Sequence, residues 1–469
     1  MSRLVMISSR CGVPHGADAQ AEALHDIMRQ RGGLWMGWSG AIGLAGEPRR
    51  VAVRDTAGYT RQRWTMSPAE YADYYHGYVH QALWPVFHNR PDLATHQKGV
   101  FCAYKTWNEA VAEMATDEIC PDDVVWVQDY HLIPLGRCLK EAGLLNPCGF
   151  FLHQPFPPGD VFRTLPEHDW LMRSLFFYDL IGFQSGSDVN NFLLCVMRHY
   201  RTERLSATTL RVNGHIINVG VFPCGVATPR PTRHAPLTGK SGALYPRQLI
   251  VSDDVINDIS GIHYRIDAMR SLLNNHPQYL REVTLLQMSD PAKEYPHFSL
   301  RLEQQLARFC SEVNGAFGDL SWFPVNYLHN DALNRRAVAG IYGRARAGLF
   351  TPLSEGVSLS AKAYVLAQDP ADPGVLILSQ FTGTAEQLKG AIIVNPYDAH
   401  ELSEALHSAL SMPLAERKQR HAALLTQVRQ YDNQWWAGAF LDALDGEPGA
   451  PASLRMTRQY GIFTPQNLY

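Results

Sequence analysis

Two successive sets of short apolar runs, separated by longer helical patterns, constrain the fold of this chain more than any other feature. In the first half, the predicted strands lie at residues 4–8, 51–53, 124–128, 149–153 and 180–184. The predicted helices lie at residues 68–86, 133–142, 166–178 and 188–199. Continuous apolar strands that alternate with helices are typical of a parallel sheet covered on both faces.

A second set of the same kind follows residues 227–247, which hold four prolines and two glycines and indicate a linker. Its predicted strands lie at residues 249–252, 283–288, 347–351, 375–379 and 391–394. Its predicted helices lie at residues 264–273, 296–313, 331–342, 359–367, 399–410 and 414–431. Two consecutive doubly wound α/β domains predict a ligand cleft between them, at the carboxyl ends of the strands.

These patterns also predict the domain boundaries. We expect an N-terminal Rossmann-like domain at residues 1–228, a linker at 229–248 and a second Rossmann-like domain at 249–433. The aromatic-rich segment 434–469 is expected to pack back on the first domain.

Charge and cysteine content exclude several classes of function. With 42 basic against 45 acidic residues and a net charge of −3, the chain has no electrostatic footprint for nucleic acid or an anionic membrane. Its eight cysteines are scattered without a C-x-x-C pair, which favours a reducing cytoplasm over a disulfide framework or a zinc site. The N-terminus does not resemble a signal peptide and no apolar run reaches transmembrane length. We therefore expect a cytoplasmic protein that needs no membrane.

Segments spread over both halves carry a family resemblance. They are GGLWMGWSG at 32–40, LWPVFH at 83–88, WVQDYHLIP at 126–134, GFFLHQPFP at 149–157, DLIGFQ at 179–184, LFTPLSEG at 349–356, AQDP at 367–370, LSQF at 378–381 and VNPYD at 394–398. In this order they resemble the trehalose-6-phosphate synthase family, which also contains the validoxylamine-phosphate synthases. The resemblance implies a GT-B fold, two Rossmann-like doubly wound domains facing an interdomain cleft, with an N-terminal acceptor domain and a C-terminal donor domain. It also implies retaining sugar transfer without a metal or other cofactor.

The resemblance gives roles to residues that follow strands of the first domain. A lone histidine after a strand is usually structural, but the family histidine that matches His153 contacts the donor sugar near its reacting carbon. The family residue that matches Asp129 binds acceptor hydroxyls, and carboxylates suit polyols because they accept several hydrogen bonds. The other acceptor-side positions match Arg10, Trp38, Tyr75, Trp84 and Gln184. For Trp84 a place in a helix core stays open.

In the second domain, Glu355 matches the acidic family residue that holds the hydroxyls of the donor sugar. The backbone amides after it open a helix, and a helix N-terminus stabilises anions such as the donor diphosphate through its free N–H groups and its dipole. These donor-side positions are Gly356, Val357, Ser358 and Leu359. Lys362, in the first turns of that helix, is either structural or a remaining cation.

The segment LIVSDDVINDISGI at 249–262 lacks the two cations that clamp the donor diphosphate in family members. Aligned on Gly261, the expected arginine and lysine are Val255 and Ser260. Three acids surround these positions, namely Asp253, Asp254 and Asp258. A hydrogen bond to a charged group is worth roughly 1.5–3 kcal/mol, so the loss of two costs roughly 3–6 kcal/mol, or about 10²- to 10⁴-fold in affinity.

Further family contacts to phosphate and nucleotide are replaced as well. Ala363 stands where a glutamate would hold the ribose, and AQAE at 19–22 stands where a glycine pair would approach the diphosphate. An arginine on the acceptor-phosphate side falls near Ser289 or Asp290. The candidate replacement cations are His263, Arg265 and Lys293.

Three functions are compatible with this pattern, in which nucleotide contacts are lost while Asp129, His153 and Glu355 persist. The pattern favours a retaining glycosyltransferase or pseudo-glycosyltransferase with an altered, less negatively charged donor, acting on sugar or cyclitol ligands. The alternatives are a non-catalytic sugar-binding or regulatory paralogue and a true trehalose-6-phosphate synthase with compensating cations. A nucleotide sugar stays open as a ligand, and homo-oligomerisation stays open too.

Overall fold

The computed structural model describes residues 2–12, 19–43, 50–54, 58–227, 248–290, 296–329, 333 and 335–446. Contacts divide the chain into two compact units. The first is formed by the described residues within Met1–Val13, Gln20–Cys224 and Asn433–Tyr469, and the second by those within Pro14–Ala19 and Gly225–Asp432. The last described helix thus belongs to the first unit.

Within the described residues, a ten-stranded sheet organises the first unit. Its strands are β1 Leu4–Arg10, β2 Leu34–Ile42, β3 Arg50–Arg54, β4 Thr60–Met66, β5 Val124–Gln128, β6 Cys148–Phe151, β7 Leu180–Phe183, β8 Thr202–Arg204, β9 Thr209–Val212 and β10 His215–Val221. Their order in the sheet is β3-β4-β2-β1-β5-β6-β7-β10-β9-β8. Neighbours from β4 to β10 are parallel, whereas the β3–β4, β10–β9 and β9–β8 pairs are antiparallel.

Antiparallel strands thus extend the predicted parallel sheet at both edges of the first unit. At one edge, β9 and β10 are joined through Asn213 and Gly214, whose φ angles are 49° and 90°. Asn-Gly favours a tight antiparallel hairpin because both residues tolerate positive φ. This dipeptide was the signal in the sequence that could have identified the hairpin.

The helices of the first unit are α1 Ala19–Arg31, α2 Pro68–Glu70, α3 Trp84–Phe87, α4 Val100–Thr116, α5 Leu135–Glu141, α6 Gly159–Phe162, α7 His168–Leu175 and α8 Gly186–His199. Short 3-10 turns lie at Pro91–Leu93 and Tyr130–Leu132. Helices α1 and α4 were not predicted from the sequence.

The single helix predicted at 68–86 is interrupted by a π-helix, Tyr71–Leu83, between α2 and α3. In a π-helix the backbone bonds join residues five apart, and here side chains five apart also meet. The rings of Tyr75 and His80 have centroids 4.5 Å apart, and the amide nitrogen of Gln81 lies 3.0 Å from Nε2 of His76. The π-helix therefore gives Tyr75 and His80 a common face.

A parallel sheet of six strands organises the second unit in the described part of the chain; five of these strands were predicted from the sequence, and β13 was not. Its strands are β11 Gln248–Val255, β12 Val283–Asp290, β13 Val325–His329, β14 Ala347–Phe350, β15 Val375–Ser379 and β16 Ile392–Val394, in the order β13-β12-β11-β14-β15-β16. Its helices are α9 Ile262–Asn275, α10 Pro296–Phe317, α11 Arg335–Tyr342, α12 Leu359–Ala367, α13 Thr384–Gln387, α14 Ala399–Ser411 and α15 Leu414–Gln430, with a 3-10 turn at Pro277–Tyr279.

The C-terminal helix α16, Asn433–Leu444, packs on the sheet of the first unit. Trp436 is fully buried, with its ring centroid 5.0 Å from that of Trp126, and Phe440 stacks on Trp126 at 4.8 Å. A Cβ atom at Gly149 would come within 2.7 Å of the Phe440 ring, so this glycine makes room for the helix. None of the described helices combines the length and apolarity needed to span a membrane.

Candidate functional site

Asp129 lies where β5 ends, with φ 71°, an unusual backbone angle for a residue with a side chain. The residue is 6% exposed, and its carboxylate accepts the backbone N–H of His153 at 3.1 Å. Burial raises the pKa of Asp129 to about 6, although backbone hydrogen bonds from Tyr130 and His153 act to lower it. The strained strand end thus presents a carboxyl group that ionises close to neutral pH, and such strain is concentrated at functional sites.

His153 follows β6 and is 4% exposed. Its Nε2 lies 2.9 Å from Oε1 of Gln128, and the rings of Phe151 and Trp436 pack against the imidazole in T-shaped arrangements with centroids 4.9 and 5.6 Å away. Burial lowers the pKa of His153 to about 3. The imidazole is therefore neutral at physiological pH and acts as a hydrogen-bonding group rather than a cation.

Arg10, Trp38 and Tyr75 are brought together at the end of β1. The guanidinium carbon of Arg10 lies 4.9 Å from the ring centroid of Trp38 and 5.8 Å from that of Tyr75. Trp38 is 1% exposed and donates its indole N–H to the carbonyl of Ala41 at 2.7 Å. The two aromatic rings form a buried floor that orients the arginine by cation–π attraction.

Trp84 and Gln184 occupy separate surroundings in the first unit. Trp84 is half-buried and its ring centroid lies 4.4 Å from that of His88. Gln184 is 2% exposed, and its Oε1 accepts the backbone N–H of Cys224 at 2.8 Å. Its amide nitrogen is buried and has no hydrogen-bond partner among the described residues, so it can donate to a ligand.

Two buried histidines beside Tyr75 were missed in the sequence analysis. The ring centroid of Tyr75 lies 4.5 Å from that of His80 and 5.9 Å from that of His131. Burial, then the nearby His80, Arg10 and His153, holds the pKa of His131 well below its usual value. His131 lay within the quoted motif at 126–134, whereas His80 becomes adjacent to Tyr75 only through the five-residue spacing of the π-helix.

In the second unit, Glu355 is half-buried beyond β14 and pairs with the segment after β15. Its backbone N–H donates to the carbonyl of Phe381 at 3.1 Å, and Thr382 donates its hydroxyl to Oε2 at 3.3 Å. Burial, followed by the charge of Asp254, raises the pKa of Glu355 to about 8, against hydrogen bonds from Thr382 and Ser358. At pH 7 this side chain is mostly protonated and can both donate to and accept from a sugar hydroxyl.

At the start of α12, one of the groups expected to bind the donor is already hydrogen-bonded within the protein, and another is buried. Ser358 precedes the helix, and its backbone N–H already donates to the Thr384 hydroxyl at 2.7 Å, so this amide is not free for an anion. Lys362 is fully buried, which favours its structural interpretation. Gly356 is buried, while Val357 and Leu359 are half-buried.

A fully buried arginine neutralises part of the acidic segment after β11. Nη1 of Arg265 lies 2.7 Å from Oδ2 of Asp254, and Nη2 donates to the carbonyl of Ser260. Asp253 accepts the hydroxyl of Tyr342 at 2.8 Å. Two of the three acids expected to repel a diphosphate are therefore bonded within the unit, and Arg265 is a structural counterion rather than an exposed replacement cation.

The two clamp positions differ in accessibility. Val255 is 51% exposed at the end of β11, whereas Ser260 is 7% exposed and donates its hydroxyl to the carbonyl of Asn257 at 2.9 Å. Gly261 has φ 70°, and a Cβ atom there would lie 2.7 Å from the carbonyl oxygen of Thr351, which fixes this turn. The exposed surface at this strand end is thus apolar at Val255 and carries no charge at Ser260.

The remaining positions add no described cation to this region. Ala363 is half-buried on α12, and Ser289 is fully buried. His263 is half-buried and burial lowers its pKa, which disfavours a positive charge. Lys293 and the side chain of Asp290 lie outside the described residues, and residues 19–22 open α1. Among the described side chains, no group of three or more His, Cys, Asp or Glu residues is arranged to bind a metal.

Comparison with known proteins shows strong similarity to sugar-transferring enzymes. The sequence profile of glycosyltransferase family 20 matches residues 9–446. The trehalose-6-phosphate synthase of Sinorhizobium fredii is 37% identical over 458 residues, covering 95% of this chain and 98% of that protein. An α,α-trehalose-phosphate synthase (UDP-forming) from Burkholderia xenovorans in complex with glucose-6-phosphate matches with a TM-score of 0.90 at 34% identity, covering 95% of this chain and 100% of that chain. An Escherichia coli structure bound with UDP-2-fluoro glucose matches with a TM-score of 0.88 at 34% identity, covering 95% and 99% of the two chains.

Proposed function

This chain belongs to glycosyltransferase family 20 and has the GT-B fold, and we propose that it catalyses the trehalose-6-phosphate synthase reaction, a retaining transfer of glucose from a nucleotide sugar to a sugar phosphate. The observation that supports this most is the retention of Asp129, His153 and Glu355 in a chain that matches such a synthase along 95% of its length. Relatives in complex with glucose-6-phosphate and with UDP-2-fluoro glucose supply the two ligand classes.

On the acceptor side, we assign phosphate recognition to Arg10 and hydroxyl recognition to Asp129. The buried floor of Trp38 and Tyr75 orients Arg10 before any ligand arrives, which reduces the ordering cost of binding. Burial raises the pKa of the Asp129 carboxyl to about 6, so it is largely ionised at pH 7. It can then accept hydrogen bonds from the hydroxyls of a sugar. Trp84 and Gln184 complete this side of the proposed site.

On the donor side, internal pairing reduces the repulsion that the sequence suggested. Asp254 is neutralised by Arg265, and Glu355 is mostly protonated at pH 7 because burial raises its pKa to about 8. The amides at the start of α12 other than that of Ser358 supply the electrostatic attraction for phosphate. A diphosphate is therefore tolerated but held weakly, since nothing replaces the clamp at Val255 and Ser260 within the described residues.

The proposed step needs no covalent enzyme intermediate. The bond between the donor's anomeric carbon and its diphosphate oxygen breaks, and the electron pair leaves with the diphosphate. The acceptor hydroxyl attacks the same face, and its proton passes to the departing diphosphate. The protein then contributes positioning and electrostatic stabilisation, in which His153, Asp129 and Glu355 orient the sugars.

A second candidate is sugar or cyclitol transfer from a donor that carries less negative charge than a nucleoside diphosphate sugar. Two observations favour it: Val255 presents an apolar surface that is 51% exposed, and Arg265 is committed to Asp254. The proposed acceptor residues and the retaining course would be the same in both reactions.

A turnover assay separates these candidates. The protein is incubated with glucose 6-phosphate and a series of nucleoside diphosphate glucoses, and release of the nucleotide is measured, with Glu355→Gln as the impaired control. Turnover with UDP-glucose at a KM raised by about 10²- to 10⁴-fold over a relative with the intact clamp supports the first proposal. Turnover with only a less charged donor supports the second, and no turnover or binding with any donor would identify a non-catalytic paralogue.

A further inference from the structure

We infer that Gln128 is a positioning residue that fixes His153 as its Nε2–H tautomer and leaves Nδ1 as a lone-pair acceptor for a sugar hydroxyl. The inference rests on the proposed function, because it gives His153 a defined role in the same sugar-binding site. It extends that function by stating which atom of the ring meets the ligand and which residue determines this.

The geometry of the pair assigns the ring proton. Gln128 is the last residue of β5 and is 1% exposed, and its Oε1 lies 2.9 Å from Nε2 of His153. In this amide orientation the nitrogen of Gln128 is buried without a hydrogen-bond partner among the described residues, and its oxygen faces the ring. Because an amide oxygen only accepts hydrogen bonds, Nε2 carries the proton in this contact. Burial lowers the pKa of His153 to about 3, and a neutral imidazole carries one proton. Nδ1 is therefore unprotonated.

Packing around His153 prevents a flip of the imidazole ring, so its two nitrogens keep their positions. Phe151 and Trp436 meet the imidazole at interplanar angles of 62° and 69°. Phe151 is also the register partner of Gln128 between β5 and β6, so the strand pairing sets the distance between the amide and the ring. The ionisable groups that interact with His153 include Asp129, which accepts its backbone N–H, and the buried His131.

His88 in the same unit provides an internal contrast. Its Nδ1 lies 2.7 Å from the carbonyl oxygen of Trp84, which only accepts hydrogen bonds. Burial lowers the pKa of His88 to about 4, so this ring is also neutral. His88 is therefore the opposite tautomer, with its proton on Nδ1, and the two rings give opposite signals in one experiment.

The tautomer restricts what His153 can do. Because Nε2–H is hydrogen-bonded to Gln128 and Nδ1 is unprotonated, the ring can accept one hydrogen bond from a ligand and can donate none. A sugar must therefore present a hydroxyl to Nδ1, and an O-methyl or deoxy sugar at that position loses the contact. The assignment agrees with a reaction in which the leaving diphosphate, not a histidine, receives the proton.

The test uses the full-length protein labelled with ¹⁵N in its histidine rings. One-bond and two-bond ring correlations identify which nitrogen carries the proton, and the His153→Ala and His88→Ala variants assign the two signals. We expect an Nε2–H pattern for His153 and an Nδ1–H pattern for His88 between pH 6 and 8. An Nδ1–H pattern for His153 would overturn the inference.

Two variants test the role of Gln128 itself. Gln128→Leu should yield a mixed tautomer at His153 and lower kcat by about 5- to 150-fold, the usual range for losing a buried hydrogen bond. Gln128→Glu, which keeps the shape, should raise the pKa of His153 and shift the acid limb of the pH–rate profile upward. Gln62→Leu, at a residue that is 2% exposed on β4, is the matched control and should leave the His153 signal unchanged.

An unchanged His153 tautomer and pH profile in both Gln128 variants would contradict the positioning role. The ring signals are measured without substrate. A failure of the tautomer assignment is therefore distinguishable from a failure of the proposed reaction, which is measured by turnover. If Gln128→Leu does not fold, Gln128→Glu alone decides the question through the His153 titration.

Discussion

Asp129 and Glu355 show how burial at the ends of strands tunes the chemistry of single residues. Burial raises the pKa of Asp129 to about 6 and that of Glu355 to about 8, and the charge of Asp254 adds to the second shift. One carboxyl group is therefore mainly ionised at pH 7 and the other mainly protonated. Asp129, in the first unit, can therefore accept hydrogen bonds, and Glu355, in the second unit, can both donate and accept them.

Asp129→Asn should stabilise the protein at neutral pH while lowering its activity. Because the folded pKa of about 6 lies above the usual value for an aspartate, the wild type loses stability as pH rises from about 4 to about 6. The shift corresponds to about 3 kcal/mol, an upper value for the gain on replacing the carboxylate with a neutral amide. Thermal unfolding of both proteins at pH 4.5 and 7.5 measures this.

The result is specific in its pH dependence. The difference in stability between Asp129→Asn and wild type should grow from pH 4.5 to 7.5 and then stay constant. For Glu355→Gln, the corresponding difference should keep growing up to about pH 8. An Asp129→Asn variant that is equally destabilised at both pH values would mean that the carboxylate is not held in an unfavourable ionised state.

Restoring the missing donor contacts should raise nucleotide affinity. The combined variant Val255→Arg, Ser260→Lys and Ala363→Glu places two cations and a ribose acceptor at the positions that the family resemblance identifies. We expect UDP to bind up to about 10²- to 10⁴-fold more tightly, measured by calorimetry, because two charged hydrogen bonds are regained. The matched control carries glutamine at all three positions and should show no comparable gain.

Asp129 and His153 could be named as candidate site residues from the sequence because they directly follow apolar strands in recognisable motifs. Their partners could not be identified in this way. Gln128 contacts His153 only through the pairing of β5 with β6, and Arg265 neutralises Asp254 only after α9 folds back on β11. Such contacts depend on tertiary register, which a single sequence does not contain.

At the scale of elements, the bounds of several strands and helices were predictable, although β2, β4 and β10 of the first sheet were not predicted. The predicted bounds of β5, β15 and α12 match the structure, because their apolar runs end sharply at polar or turn-forming residues. The π-helix Tyr71–Leu83 was not predictable, since its sequence is compatible with an ordinary helix. The edge strands β8 and β9 were missed because they are short and partly exposed.

The C-terminal helix α16 should matter for both stability and the candidate site. Trp436 is fully buried and contacts the rings of Trp126, Phe151 and His153. We expect Trp436→Ala to destabilise the first unit by about 3–5 kcal/mol, as usual for a large core residue, and to lower kcat by loosening His153. Denaturant unfolding and turnover measure the two effects.

The neighbouring tryptophan provides the control for that variant. Trp435 is half-buried on the same helix, so Trp435→Ala should cost clearly less stability and leave kcat nearly unchanged. Equal losses in the two variants would show that the helix, and not the contact of Trp436 with the His153 surroundings, determines the effect.

At the scale of the whole molecule, the two sets of alternating strands and helices were sufficient to predict two α/β units, and the ordered motifs were sufficient to predict the family. The antiparallel pairs at the edges of the first sheet join strands that are close in sequence, whereas the return of α16 to the first unit joins distant parts of the chain. We propose that the donor preference depends on Val255 and Ser260, and we expect their substitution to change nucleotide affinity without changing the fold.

The central claim is that this member of glycosyltransferase family 20 joins two sugars with retention. The most direct test is proton NMR of the product formed from UDP-glucose and glucose 6-phosphate, in which the anomeric couplings report the configuration of both linked carbons. The account predicts an α,α-linked disaccharide phosphate, formed slowly at low donor concentration and faster as the donor is raised. A β-linked product, or no disaccharide at any concentration of UDP-glucose, would contradict it.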